Sequence, residues 1–105
     1  MAQIPTNILK IIYKFLEQVE IYGIHIKEAI LYGSYANGTQ NEWSDIDLAI
    51  VSDDFTGTRF YDWDLLKKAK FAVSYDLSPI PYKTEDFTPD NLFVKEILKT
   101  GIRII

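Results

Sequence analysis

Two aspartates, Asp45 and Asp47, open an apolar run that continues from Ile46 to Val51. In an extended strand successive side chains alternate faces, so this spacing sends both carboxylates to one side and Ile46, Leu48 and Ile50 to the other. Held about 6 to 7 Å apart by the strand's rise, the two charges repel by about 2 to 3 kcal/mol at an effective dielectric near 20. A divalent cation between them reverses that sign. Upstream, Gly33 and Ser34 end another apolar run, Ala29 to Tyr32, and ten residues separate Ser34 from Asp45. A glycine lets an anion approach the backbone closely, and the serine hydroxyl adds a donor. The residues that follow, Tyr35 to Asn41, predict a short helical turn whose first N–H groups point back at the Gly-Ser pair. The chemistry on offer is a cation held by oxygen and a cradle for phosphate, set against the plainer alternatives of an ordinary Gly-Ser turn, which the dipeptide alone would favour, and a solvated strand end.

A third carboxylate belongs to the same reading. Phe71 to Ser78 alternates, with Phe71, Val73, Tyr75 and Leu77 on one face and Ala72, Ser74, Asp76 and Ser78 on the other. That pattern predicts a strand carrying Asp76 on its small, polar side. If this strand neighbours the one bearing Asp45 and Asp47, three carboxylates meet on one sheet face. Two competing motifs fail. Gly33 and Gly38 have the glycine spacing of a phosphate-binding P-loop, but Thr39 and Gln40 stand where it requires Lys and then Ser or Thr. A calcium loop at Asp45 fails because Ala49 occupies a ligand position and the segment is apolar. Ser44 is a further hydroxyl beside the pair.

The elements that must position these residues alternate between helical and extended patterns. Pro5 to Tyr22 predicts an amphipathic helix, with Ile8, Ile11, Ile12, Phe15, Leu16 and Val19 at helical spacing and Gly23 as its stop. Ile26 to Tyr32 predicts the first strand, with His25 at its entrance as a surface residue. Ser52 to Thr58 is a loop. Phe60 to Ala69 predicts a helix turning Tyr61, Leu65, Leu66 and Ala69 inward and Lys67, Lys68 and Lys70 to solvent. Pro79 and Pro81 are expected to end the third strand. Thr88 and Pro89 read as a cap and first-turn proline for a last helix, followed by an edge strand from Ile102 to Ile105. The fold class expected is α/β (α+β), a small mixed sheet with helices mainly on one face.

At 105 residues, 48% hydrophobic and 14% aromatic, the chain can build one core and leaves no room for a second domain. It has no cysteine and one histidine, which removes disulfides and thiolate zinc sites and leaves oxygen as the metal ligand. The N-terminal MAQIPTNILK lacks the basic flank and apolar run of a leader, and no window approaches a membrane span. A cytoplasmic protein is expected. Net charge is −4, and the five basic residues from Arg59 to Lys83 are scattered, so direct nucleic-acid binding is not expected.

Gly33-Ser34, ten residues, Asp45-x-Asp47 and a later Asp76 together resemble the signature of the DNA polymerase beta-like nucleotidyltransferases, in particular the small one-domain branch called minimal nucleotidyltransferases, or MNT. The resemblance spans nearly the whole chain, because the element order also matches. It implies that Asp45, Asp47 and Asp76 hold two magnesium ions, that Asp76 helps deprotonate an acceptor hydroxyl, and that Gly33 and Ser34 hold the outgoing diphosphate. The implied reaction moves a nucleoside monophosphate, AMP from ATP above all, onto the acceptor. MNT proteins are typically paired with HEPN partners in toxin–antitoxin modules, so the resemblance also implies an antitoxin that modifies a tyrosine of a HEPN toxin. Tyr35, Trp43 and Trp63 are expected as exposed aromatics for that interface. Two departures count against turnover, since Tyr35 and Asn37 stand where relatives often carry arginines. The alternatives are a binding module that masks its partner without turnover, and an enzyme acting on a small molecule. Larger relatives carry an added helical domain for base and acceptor, and this chain is expected to complete its pocket with another molecule.

Overall fold

The computed structural model describes residues 4–105, so the first three residues of the stretch read for a leader lie outside it. The elements run α1 (Thr6–Ile21), β1 (Glu28–Tyr32), α2 (Ser34–Asn37), β2 (Ile46–Val51), α3 (Arg59–Phe71), β3 (Leu77–Tyr82), a 3₁₀ turn (Thr84–Asp86), α4 (Leu92–Thr100) and β4 (Ile102–Arg103). One four-stranded sheet has the order β3-β2-β1-β4, antiparallel except for the parallel pair β2 and β3. The parallel pair needs a crossover, and α3 supplies it. The predicted mixed sheet and fold class are what the structure has.

The sheet is covered unequally. On one face Ala29, Leu31, Ile46, Leu48, Ile50 and Leu77 pack with the α1 stripe Ile8, Ile12, Phe15, Leu16 and Val19 and with Leu66 and Ala69 of α3. That spacing is the reason α1 forms: every third or fourth residue is apolar, and Pro5 ahead of it accepts the first turn's N–H groups at its carbonyl, from Ile8 at 3.0 Å and Leu9 at 3.1 Å. On the other face a smaller cluster of Ile30, Ala49, Val51, Val94 and Ile97 is closed by Phe87 and by α4.

β3 departs from the sequence expectation. The alternation from Phe71 onward belongs to the end of α3 and a turn, and the strand starts at Leu77, running through the two prolines that were expected to end it. Its position explains this. β3 is a sheet edge, and the bonds Ile46 N–H to Asp76 carbonyl (2.8 Å) and Ser52 N–H to Tyr82 carbonyl (3.0 Å) show that its even-numbered residues face β2. Pro79 and Pro81 therefore fall at outward positions, where no ladder bond is lost.

Two smaller corrections follow from local hydrogen bonding. The cap of α4 is Asn91, whose Oδ1 accepts from Phe93 N–H at 2.9 Å and Val94 N–H at 3.2 Å, so Thr88 and Pro89 lie in the preceding turn. In α3 the inward residue of the first turn is Asp62, and Tyr61 is exposed. Buried Asp62 accepts from the N–H groups of Thr56 and Gly57, both at 2.9 Å, and from the Thr56 hydroxyl at 3.0 Å. It thereby anchors the loop that follows β2.

Candidate active site

β2 carries the site. Five of its six residues are buried, and Asp47 is the exception. Asp47 shares the face of Ala49 and Val51, and the antiparallel register sets Tyr32 opposite it on β1 while the parallel register sets Ser78 beside it on β3. The half-buried carboxyl is held above the usual carboxylate range, first by burial and then by the charge of Asp45. Tyr32 feels the same surroundings, and burial, then Asp47, then Tyr82 push its phenol well above the ordinary tyrosine value. Tyr82 is raised by burial, partly offset by the Arg59 cation.

The Gly-Ser turn comes to this carboxylate. Gly33 has φ 74° and ψ −149°, a conformation side chains rarely adopt, and a Cβ built on it would collide with the Asp47 carboxylate. Glycine is thus required twice, by its backbone angles and by the acid seated against it. Ser34 opens α2, and the Gly33 carbonyl accepts from Ala36 N–H at 3.1 Å and Asn37 N–H at 3.0 Å. The predicted short helical turn is there, ending at Gly38 in the left-handed conformation. Ser44 has a structural task instead, since its Oγ accepts from Asn41 N–H at 2.9 Å and closes the turn leading into Asp45.

Asp76 precedes β3. Ile46 and Leu77 are register partners, so one step upstream Asp45 and Asp76 stand at the same end of the sheet, both exposed. Asp76 is held through its backbone, its carbonyl bonded to Ile46 and its N–H donating to Ser74 Oγ at 3.1 Å. Among the described residues no group of three acidic or imidazole side chains is close enough together to hold a metal ion. Gly33 and Asp47 are in direct contact, the charge of Asp45 acts on Asp47, and Asp76 lies exposed at the sheet end that carries Asp45. Magnesium takes one or two carboxylates along with substrate phosphates, and an electrostatically unbalanced pair of hard oxygen donors fits that demand.

Tyr32 and Ser78 were not singled out from the sequence. Their place beside Asp47 depends on strand pairing, although Tyr32 directly precedes Gly33 and could have been noticed for that adjacency. Of the aromatics proposed for an interface, Trp43 is 84% exposed and Trp63 39%, whereas Tyr35 packs partly against the core.

This fold and this pairing of a glycine turn with strand carboxylates define a nucleotidyltransferase, and the chain belongs to the nucleotidyltransferase domain family, which matches residues 10–104. It is 28% identical over 101 residues to a protein of Methanocaldococcus jannaschii provisionally named protein adenylyltransferase MJ0141, covering 93% of this chain and 99% of that one. A provisionally assigned nucleotidyltransferase from Sulfolobus solfataricus superposes with a TM-score of 0.69 at 18% identity, over 92% of this chain and 78% of that chain. A toxin–antitoxin crystal structure with AMP-PNP matches with a TM-score of 0.65 at 23% identity, over 92% and 72%. A mutant of the MntA-HpeT toxin–antitoxin matches with a TM-score of 0.63 at 19% identity, over 89% and 71%. The described residues contain no helix long and apolar enough to cross a membrane.

Proposed function

We propose that this chain is a protein adenylyltransferase that moves AMP from ATP to a tyrosine of a HEPN-domain toxin and so acts as its antitoxin. The observation that carries the reading is the contact between Gly33 and Asp47, which joins the anion cradle to the carboxylate pair. The names of the M. jannaschii relative and of the toxin–antitoxin neighbours support the choice of a protein acceptor.

In the proposed reaction the tyrosine oxygen attacks the α-phosphorus, the bond from that phosphorus to the bridging oxygen breaks, and diphosphate leaves. Gly33 and Ser34 hold the leaving diphosphate through backbone N–H groups and the serine hydroxyl. Asp45 and Asp47 would hold magnesium, which when bound offsets the charge developing on the attacking and leaving oxygens. Asp76, exposed at the sheet end that carries Asp45, takes the proton of the incoming hydroxyl. Tyr32 and Ser78 flank Asp47 and limit how far its side chain can swing.

The test is transfer of label from α-³²P ATP with magnesium to a purified HEPN-domain toxin. Label on the partner that disappears with Asp45→Asn or Asp47→Asn is the expected result. Inhibition of the toxin that survives both substitutions with no label moved would replace this reading with steric masking, the outcome that Tyr35 and Asn37 in place of arginines would favour. Label found only on a small molecule would replace the acceptor.

A further inference from the structure

A groove of about 640 Å³ runs between the outer side of α3 and the edge of β3. Its α3 wall carries Arg59, Phe60, Trp63, Lys67, Lys70 and Phe71, and its β3 wall is Ser78 and Pro79. Three of these are large aromatics left in solvent, Phe60 at 76%, Trp63 at 39% and Phe71 at 47% exposure. The cations stack on them: Arg59 lies 5.7 Å from the centre of the Trp63 ring, and Lys67 and Lys70 lie 5.8 and 5.3 Å from that of Phe71. Among the described residues none of the three cations is in an ion pair, and the groove's one acid, Asp64, is engaged by Lys68 at 3.1 Å. A cationic groove lined with aromatics on a chain of net charge −4 is a local reversal that asks for an acidic, partly apolar occupant.

The edge decides what form the occupant takes. At the outward positions of β3, Pro79 and Pro81 have no N–H, and the Leu77 N–H is turned back to the Ser74 carbonyl at 3.5 Å. An added strand would find no donor there, so pairing at the sheet edge is blocked. A helix satisfies its own backbone and needs only side-chain contacts. Arg59 to Phe71 extends about 18 Å at a helix's rise per residue, room for about three turns laid alongside. At its β3 wall the groove reaches Ser78, the register partner of Asp47.

We infer that this groove docks an amphipathic helix with an acidic rim, supplied by the protein that the chain modifies. The inference rests on the proposed function for the identity of that protein and goes beyond it in assigning the surface. Single-stranded nucleic acid could also stack on aromatics among cations. It is disfavoured because a nucleic acid carries a charge at every nucleotide along its length, whereas the groove offers three cations on a chain of net charge −4.

The experiment uses the chain with Trp43→Phe, which leaves Trp63 as its one tryptophan, titrated with a purified HEPN-domain protein. Trp63 emission should shift on binding. Lys67→Glu with Lys70→Glu should weaken the complex at least tenfold, and Phe60→Ala, an exposed change that spares the fold, should weaken it several-fold. Unchanged affinity in both variants overturns the groove, even if labelled AMP still reaches the partner. Weakened binding in the variants with no label moved by the wild type leaves the groove standing and removes the adenylyltransferase reading. A shift of Trp63 emission by a 12-nucleotide single-stranded RNA, lost in the charge variant while the HEPN protein binds as before, overturns the inference in favour of nucleic acid.

Discussion

The two faces of β2 differ in what they ask of the same six residues. Ile46, Leu48 and Ile50 are wholly buried beneath α1 and α3, where each apolar contact adds to stability. On the opposite face Ala49 and Val51 are equally buried, yet one step along the strand Asp47 keeps a half-buried charge beside Asp45 and against Gly33. One face is optimised for folding, and the other carries an arrangement that folding alone would not select. Strained, like-charged groups of this kind mark a place where function is set against stability.

The sharpest way to break the contrast is Asp47→Asn. AMP transfer should fall by about 10³-fold or more, the scale expected when a group that stabilises transition-state charge is lost. The fold should become more stable at neutral pH, read as a higher melting temperature. The sign follows from linkage: a carboxyl whose folded pKa is raised lowers stability while ionised, and the penalty is relieved as pH falls through the folded value toward the unfolded one. Thermal melts from pH 7 to pH 4 should therefore show the gap between the Asp47→Asn variant and the wild-type protein closing toward acid. A variant less stable than wild type at pH 7 would contradict the assignment of the two faces.

Leu48→Ala tests the other face. Emptying this site between Leu31 and Pro79 should cost about 2 to 5 kcal/mol in denaturant melts, while transfer per folded molecule stays near wild type. Gly33→Ala lies where the faces' demands meet. It combines an unfavourable φ with a collision at Asp47, so a loss of about 1 to 3 kcal/mol is expected along with a sharply raised KM for ATP. The smallest effect is that of Asn91→Ala, which removes the α4 cap. It should cost about 1 kcal/mol by chemical denaturation and leave transfer per folded molecule near wild type, because the change removes two cap hydrogen bonds and none of the acids or the glycine turn.

Much of this arrangement could be read from residue order, and the exceptions have causes. The bounds of β2, Ile46–Val51, agree with the expectation because a central strand is apolar on both faces and is bracketed by turn residues. The α1 stripe was legible for the same reason, a periodicity that only one structure satisfies. β3 was misplaced because Phe71 to Ser78 alternates by chance at a helix end, and because whether a proline ends a strand depends on its being at an edge. Asp62 was missed because its burial is made tolerable by three donors from a loop, which no local pattern announces.

By itself the sequence determined the parts: a glycine that alone tolerates its backbone angles, two acids sent to one side by strand geometry, and apolar periods that commit α1 and β2. These are properties of neighbours along the chain. Only the tertiary structure decided that Gly33 meets Asp47, that Tyr32 and Ser78 flank it, and that Asp76 lies at the same end of the sheet as Asp45. Each of those depends on the register between strands far apart in sequence, which the packing of the whole sheet selects.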